Sequence, residues 1–456
     1  MTKVLSAWID CAFMQHAKLP ALLGREQNCS YEQLFEEARI IGRRVGRVAP
    51  PRSSVAIKFE ATDAAIATYL AVVMEGHVPF LVDPAIDDAK LDKLVHAYDI
   101  TYSIDPACTN IDGGLKLNDN CLISGGPNLK MDTEVCRFTS GTTSLPKCLE
   151  FSGAAVRDAG TIWADQSGLI EGDRILCVTP FSNGLAFNTS LLSAWSVGAA
   201  ILAVPAGLMT ARAFFSLIEK HRITRVVGFP TFYRRIVNSG ALYGGESVTH
   251  VISAASSMGE DLRRSLDERY SARVIDYYGI AEVGPVTDGV RRAHAATLGS
   301  ALVGNEIRIE DGLQSGRLEV RTPYMATTYL GADELFSSAI RDGFFVTGDV
   351  GKFEVNGELV LTGRSDRVFK VGGKAIDPAL IEGAARATTG VSDAAVVVNR
   401  TDDGEELIHL YLVAENDLAL IVKNRIREDL GRQYVPSKII ILPELPRNGA
   451  GKIIFP

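Results

Sequence analysis

Four times the chain runs from an apolar helical pattern through a tight turn into a short apolar strand pattern. Residues 63–84, DAAIATYLAVVMEGHVPFLVDP, set the scheme, and residues 190–205, SLLSAWSVGAAILAVP, repeat it. Residues 212–230 (RAFFSLIEKHRITRVVGFP) and 260–279 (EDLRRSLDERYSARVIDYYG) do so with more charge on the helical part. The helical parts space apolar residues near 3.6, and the strands are continuous apolar runs, as strands buried on both faces are. Such alternation implies an α/β fold, parallel sheet covered by helices. Ligands of such sheets sit beyond the carboxyl ends of the strands, which directs attention to VVGFP, VISAASS and VIDYYG.

From about Gly316 the texture changes to alternating strands, GRLEVRT, GFFVTGDVGKFEV and GELVLTG, expected to form a β-barrel-like part. The last two are joined by Asn356-Gly357, read as a type I′ hairpin. A small α+β unit follows: a helix at PALIEGAARA, strands at DAAVVVN and LIHLYLVAE, a helix at ALIVKNRIREDLG and a strand at SKIIILP. The polar segment Gly363 to Arg367 separates the two textures, so the expected domains are residues 1–365 and 366–456.

With 456 residues, 46% of them apolar, the chain can bury one large core and a second, smaller one. A net charge of −8 and no basic run argue against nucleic acid or an anionic membrane as the main partner. Seven scattered cysteines with no C-x-x-C pair read as reduced thiols of a cytoplasmic protein. The most membrane-like stretch, Leu191 to Met209, is punctuated by Gly198 and Pro205 and parses as a helix end, a turn and a buried strand, so no membrane span is expected.

Four segments carry candidate chemistry. FTSGTTSLPK, Phe138 to Lys147, combines small residues, hydroxyls and a lysine. Its plain alternative is a hairpin connection; its functional reading is a phosphate cradle of backbone N–H groups, hydroxyls and the Lys147 charge. DYYGIAEVGP, Asp276 to Pro285, offers a tyrosine pair for a base and Glu282 for magnesium. Asp349 and Arg364 each follow a strand and suit ribose hydroxyls, although such a pair is more often a surface ion pair. The terminal LPRNGAGKIIFP places Lys452 on a glycine turn, where the first glycine of a Walker loop is missing.

Order and content together resemble the acyl-adenylate-forming superfamily, which includes acyl-CoA synthetases, adenylation domains and luciferases. Its T-S-G-T-T-G-x-P-K loop is matched by Thr139 to Lys147 with Ser144 for the second glycine. Y-G-x-T-E is matched by Tyr278 to Glu282, T-G-D by Thr347 to Asp349, and G-R-x-D by Gly363 to Asp366. K-x-x-G falls at Lys370 to Gly373 and the terminal G-K at Gly451-Lys452. The resemblance implies ATP and Mg²⁺ as cofactors. Thr139, Ser140, Gly141, Thr142, Thr143 and Lys147 would hold the phosphates, Glu282 the metal, and Asp349 with Arg364 the ribose. Asp276, Tyr277, Tyr278 and Gly279 would line the adenine site, with Ala254, Ala255 and Ser256 opposite. Lys452 would be the catalytic cation, supported by Glu282 and Thr139. Asp366 would be the hinge of a mobile C-terminal domain and Gly373 part of its thiolation loop.

Three departures stand out: Ala281 for the usual Thr, Asn183 where many CoA ligases carry a histidine, and only four residues after Lys452. The implied acyl pocket takes in Phe181, Asn183, Phe187, Phe229, Ser253, Tyr277 and Val283. No carboxylate occurs between Arg174 and Glu219 to pair an α-ammonium, which disfavours an amino acid. The expected activity is ATP-dependent activation of an aryl or short to medium acyl carboxylic acid, then transfer to a thiol. The acceptor is CoA or the phosphopantetheine of an acyl carrier protein supplied in trans; an amide- or ester-forming ligase is the alternative. A nucleotide- or acyl-binding homologue without catalysis is the reading from another class, and a homodimer is left open.

Overall fold

A computed structural model describes the chain apart from residues 1–2, 25–26, 107–116, 120–125, 140–144, 241–244, 255–257, 259, 271, 291–296, 365–368, 372–373, 377, 401–405, 415–417, 448–452 and 454–456. It falls into two compact units, Met1–Glu306 with Arg321–Phe345, and Ile307–Val320 with Val346–Pro456.

The first unit holds two seven-stranded sheets among the described residues. One runs Arg273–Asp276, His250–Ser253, Arg225–Gly228, Arg174–Cys177, Ala200–Ala203, Pro20–Leu22 and Cys29–Ser30, parallel except for its last pair. The other runs Thr328–Tyr329, Cys148–Ser152, Thr133–Phe138, Val78–Val82, Ser54–Lys58, Tyr102–Ile104 and Leu117–Asp119, parallel only in its middle. All four helix–strand repeats are observed, as helices Asp63–Met74, Ser193–Val197, Ala211–His221 and Glu260–Tyr270 before their strands. The Asp63–Met74 helix is apolar all round because Ala65 to Val73 are all buried. Thr62 starts it by accepting the Ala65 N–H at 3.3 Å.

Arg225, in the middle of the parallel sheet, donates from Nε to Asp173 Oδ2 at 2.9 Å and from Nη1 to the Ser167 carbonyl at 3.1 Å. Thr224 Oγ1 donates to the other Asp173 oxygen at 2.7 Å. His250 lies against this cluster. Its burial, with Arg225 and Arg273 nearby, pushes its pKa down from 6.5 to about 4, Asp173 opposing. The folded value lies below the unfolded one, so between these two values the unfolded chain binds the extra proton and stability falls as pH drops. Urea unfolding across that window should show a shallower acid loss for His250→Gln than for the wild type; equal slopes would remove His250 from the account.

The strand-rich part is a five-stranded sheet in which Glu306–Ile309, Ser315–Arg321 and Phe344–Phe353 are neighbours in that order. Ile340–Arg341 and Leu359–Arg364 both pair with Phe344–Phe353. It is open among the described residues, a half-barrel-like sheet where the alternating pattern suggests a barrel. The Asn356-Gly357 hairpin also differs from its sequence reading. Glu354 O accepts the Gly357 N–H at 2.9 Å, and Glu354 N–H donates to Glu358 O at 2.9 Å. Only Gly357, at φ 82°, has positive φ, so the loop is a type I turn with a glycine bulge and not a type I′ turn. Asn356 has no positive φ; its Oδ1 accepts the Glu358 N–H at 3.2 Å.

The smaller α+β part has the expected order: helix Pro378–Arg386, strands Val391–Arg400 and Glu406–Ala414, helix Ala419–Leu430 and strand Lys438–Leu442. Ile381, Ala385, Leu410, Leu412, Val422 and Ile426 form its core. Among the described residues no helix is long and apolar enough to cross a membrane.

Candidate active site

Three adjacent parallel strands end in register, Gly228 beside Ser253 and Ser253 beside Asp276. The residues just beyond, Phe229, Ala254 and Tyr277, therefore share one edge of the first unit. Tyr277 N–H donates to the Ser253 carbonyl at 2.7 Å. The Ser253 hydroxyl is buried without a hydrogen-bond partner among the described residues. The Tyr277 ring meets Trp163 edge-on at 5.1 Å, and Tyr278 is likewise buried.

Past Tyr278 the chain doubles back, pairing Gly279–Ile280 with Gly284–Pro285. Val283 N–H donates to Ile280 O at 3.2 Å, which sets Ala281 and Glu282 at the tip of a tight turn. Gly284 has φ 77°, and a Cβ there would lie 2.8 Å from the Tyr324 ring, so glycine is needed on both counts. The half-buried Glu282 carboxylate accepts the Tyr329 phenol at 2.7 Å. Burial, and then the carboxylate beside it, push that phenol far above its ordinary range.

The Ser/Thr/Gly loop joins the antiparallel strands Thr133–Phe138 and Cys148–Ser152, so geometrically it is a hairpin connection as well. Thr139 N–H donates to Lys147 O at 2.9 Å, and Lys147 N–H donates to Thr139 Oγ1 at 3.2 Å. Tyr98 pins the loop by donating to Pro146 O at 2.6 Å. The Lys147 ammonium sits 4.7 Å from the centre of the Tyr329 ring. One phenol thus receives the loop lysine on its face and Glu282 at its hydroxyl. Tyr329 was not singled out in the sequence; it reaches this place because Tyr329 pairs with Leu149, next to the loop.

Glu282 is a hard oxygen donor. No group of three or more His, Cys, Asp or Glu that could hold a metal occurs among the described residues. One carboxylate suits Mg²⁺, which commonly keeps waters and binds through substrate phosphates in place of an all-protein cage. Bound there, the ion would neutralise charge on phosphate oxygens.

Of the residues assigned to the acyl pocket, Phe181 is fully buried against Phe59 with ring centres at 5.5 Å. Asn183 caps the helix Gly184–Ala186 by accepting the Leu185 N–H at 2.9 Å. Val283 is buried at the Glu282 turn. Phe187 and Asn188 begin a π-helical turn, Phe187–Leu192, a conformation frequent at functional sites. Phe187 lines a cavity of about 10 Å³, together with Arg137, Phe151, Asn188 and Tyr324. Asn188 Nδ2 donates to the Tyr277 hydroxyl at 3.5 Å, which links this cavity to the strand edge.

In the second unit, Asp349 and Arg364 are directly opposite in adjacent strands. Arg364 Nη1 donates to Asp349 Oδ1 at 2.9 Å, and Asp349 N–H donates to Thr347 Oγ1 at 3.0 Å. Ser140, Gly141, Thr142, Thr143, Ala255, Ser256, Asp366, Gly373 and Lys452 lie outside the described residues.

Comparison with known proteins gives the family. A 3-hydroxybenzoate–CoA ligase from Aromatoleum sp. (strain CIB) is 29% identical over 338 residues, covering 69% of this chain and 64% of that protein. A 3-hydroxybenzoate–CoA/4-hydroxybenzoate–CoA ligase from Thauera aromatica is 28% identical over 351 residues, with the same coverage of 69% and 64%. The chain thus spans about 64% of the length of these relatives. ATP-bound MatB from Rhodopseudomonas palustris superposes with a TM-score of 0.83 at 22% identity, covering 98% of this chain and 97% of that one. The anthranilate CoA ligase AuaEII in complex with anthranoyl-AMP gives 0.81 at 19%, covering 98% and 95%. At such identities these two likenesses are ones of fold. Residues 11–330 match the AMP-binding enzyme family and residues 380–452 its C-terminal domain. The chain belongs to the AMP-binding enzyme family.

Proposed function

We propose that the protein activates a carboxylic acid with ATP and then passes the acyl group to a thiol. The acid's carboxylate oxygen attacks the α-phosphorus, the bond to the bridging oxygen of the β-phosphate breaks, and pyrophosphate leaves. What supports this reading in the structure is the meeting of Lys147 and Glu282 on Tyr329. It sets one cation and one carboxylate at the base of a Ser/Thr/Gly loop, as a magnesium–triphosphate needs.

Lys452 supplies the charge between incoming carboxylate and α-phosphate, two anions that otherwise repel. Asp349, oriented by Arg364, accepts the ribose hydroxyls. Residues 366–456 act as a lid that turns about Asp366 and brings Gly373 toward the adenylate for the thiol step. The thiol sulfur then attacks the acyl carbon and AMP leaves. The hydroxybenzoate ligases among the relatives favour an aryl acid, with short to medium acyl acids next, and CoA as the acceptor.

Steady-state AMP release over hydroxybenzoates, benzoate and C4–C8 acids, with CoA, with a pantetheinylated carrier and without a thiol, tests the reading. Acceleration by CoA is the expected result; acceleration by hydroxylamine alone, with neither thiol active, would favour amide formation. Tyr329→Phe should raise the ATP KM about tenfold without unfolding the protein, since a hydrogen bond to a charged group contributes about 1.5–3 kcal/mol. An unchanged KM would remove Tyr329 from the site.

A further inference from the structure

Arg137 is a charged residue near the end of the buried strand Thr133–Phe138, two positions before Thr139. Its side chain is 8% exposed. The guanidinium lies between the rings of Phe151 and Phe187, 5.8 and 5.2 Å from their centres. It makes no hydrogen bond or ion pair among the described residues, and its Nε is buried without a partner. The two carboxylates of the same hairpin are occupied elsewhere. Glu134 accepts the Val4 and Leu5 N–H groups at 2.8 and 3.0 Å. Glu150 accepts the Lys130 N–H at 2.8 Å and the Thr133 hydroxyl at 2.5 Å.

A buried cation without a counter-charge is costly, and aromatic faces offset that only in part. Burial accordingly lowers the guanidinium's pKa, with the Tyr277 and Tyr69 phenols opposing. The fold nevertheless makes room for it: a Cβ on Gly184 would fall 2.8 Å from its terminal nitrogen. Around it the cavity wall is Phe151, Ala155, Phe187, Asn188 and Tyr324. The Tyr324 hydroxyl is committed to Pro285 O and Asn305 Oδ1, both at 2.9 Å. At about 10 Å³ the cavity has room for about one water. That is the scale of a ligand's terminal oxygen, not of its body.

We propose that Arg137 is the specificity-determining residue of the acyl pocket and binds a second carboxylate, remote from the one that is activated. The substrate is then a dicarboxylic acid with a short or aryl spacer. The proposed function gives the activated carboxylate to Lys452, which leaves the Arg137 guanidinium for a second one. This inference rests on the adenylation reading and narrows its substrate class.

The test is acid-dependent pyrophosphate exchange with matched pairs: malonate and propionate, succinate and butyrate, glutarate and pentanoate, isophthalate and 3-methylbenzoate. The wild type should prefer one of the diacids over its partner by about 100-fold in kcat/KM, as a charged hydrogen-bonded pair implies. Arg137→Met should reverse that preference, and Arg137→Lys should keep part of it. A wild type that prefers the monoacids overturns the proposal whatever the variants do, as does a folded Arg137→Met with unchanged preference. If no acid supports exchange, the adenylation reading fails, and calorimetry of the same diacids decides the Arg137 site alone. Diacid binding by the wild type that Arg137→Lys weakens keeps the site; no diacid binding removes it.

Discussion

Lys452→Ala is expected to stop adenylate formation while ATP still binds. In the proposed mechanism the cation acts where negative charge accumulates between the attacking carboxylate and the α-phosphate, so its loss would fall on the rate and not on the ground state. Removing one such preorganised group typically costs about 10²–10³ in rate. Pyrophosphate exchange should fall by at least that factor, with the ATP Kd from calorimetry within a few-fold of wild type. Lys452→Arg should recover little, since a planar guanidinium does not replace a compact ammonium at one geometry. A Lys452→Ala enzyme within tenfold of wild type would mean that another group carries the charge.

Arg225→Met should have the largest effect on stability. It strips Asp173 of its charge partner in a place where the Arg225 side chain is 3% and the Asp173 side chain 11% exposed. Breaking a buried pair from one side costs about 3–5 kcal/mol, because the remaining charge is buried and uncompensated. Urea unfolding should show that loss, and Arg225→Met with Asp173→Asn should regain a good part of it. The strands Arg225 anchors are those whose ends present Phe229, Ala254 and Tyr277. Loss of exchange activity should therefore track unfolding on heating. A single-variant loss below about 1 kcal/mol, the scale of an exposed pair, would show that the cluster is not a keystone.

Local pattern carried most of the fold. Each helix–strand repeat is contiguous, so its apolar period alone marks it, and Gly198 and Pro205 punctuate the Leu191 to Met209 stretch as read. The half-barrel-like sheet and its hairpin were less legible. Whether alternating strands close depends on which edges meet, and whether Asn-Gly forms type I′ depends on where the pairing starts. Here it starts at the Phe353–Leu359 pair, leaving a loop in which only Gly357 takes positive φ.

The site divides in the same way. Thr139, Lys147 and Glu282 in the first unit, and Asp349 with Arg364 in the second, could be named as candidates because their motifs are contiguous. Tyr329 and Asn188 could not, since each meets its partners through strand pairing or a helix packed far away in sequence. Arg137 did leave a trace: TEVCRF carries two charges, Glu134 and Arg137, in a strand that is otherwise Thr, Val, Cys and Phe. Such a residue needs a partner, and only the packing shows that the nearby carboxylates are engaged elsewhere.

The most direct test of the central claim is carboxylate-dependent exchange of labelled pyrophosphate into ATP by the purified chain, across aryl, acyl and dicarboxylic acids. Exchange that depends on one class of acid, on Mg²⁺ and on Lys452 is the predicted result. Binding of ATP with no exchange for any acid would contradict it and leave a nucleotide-binding protein that does not form adenylates.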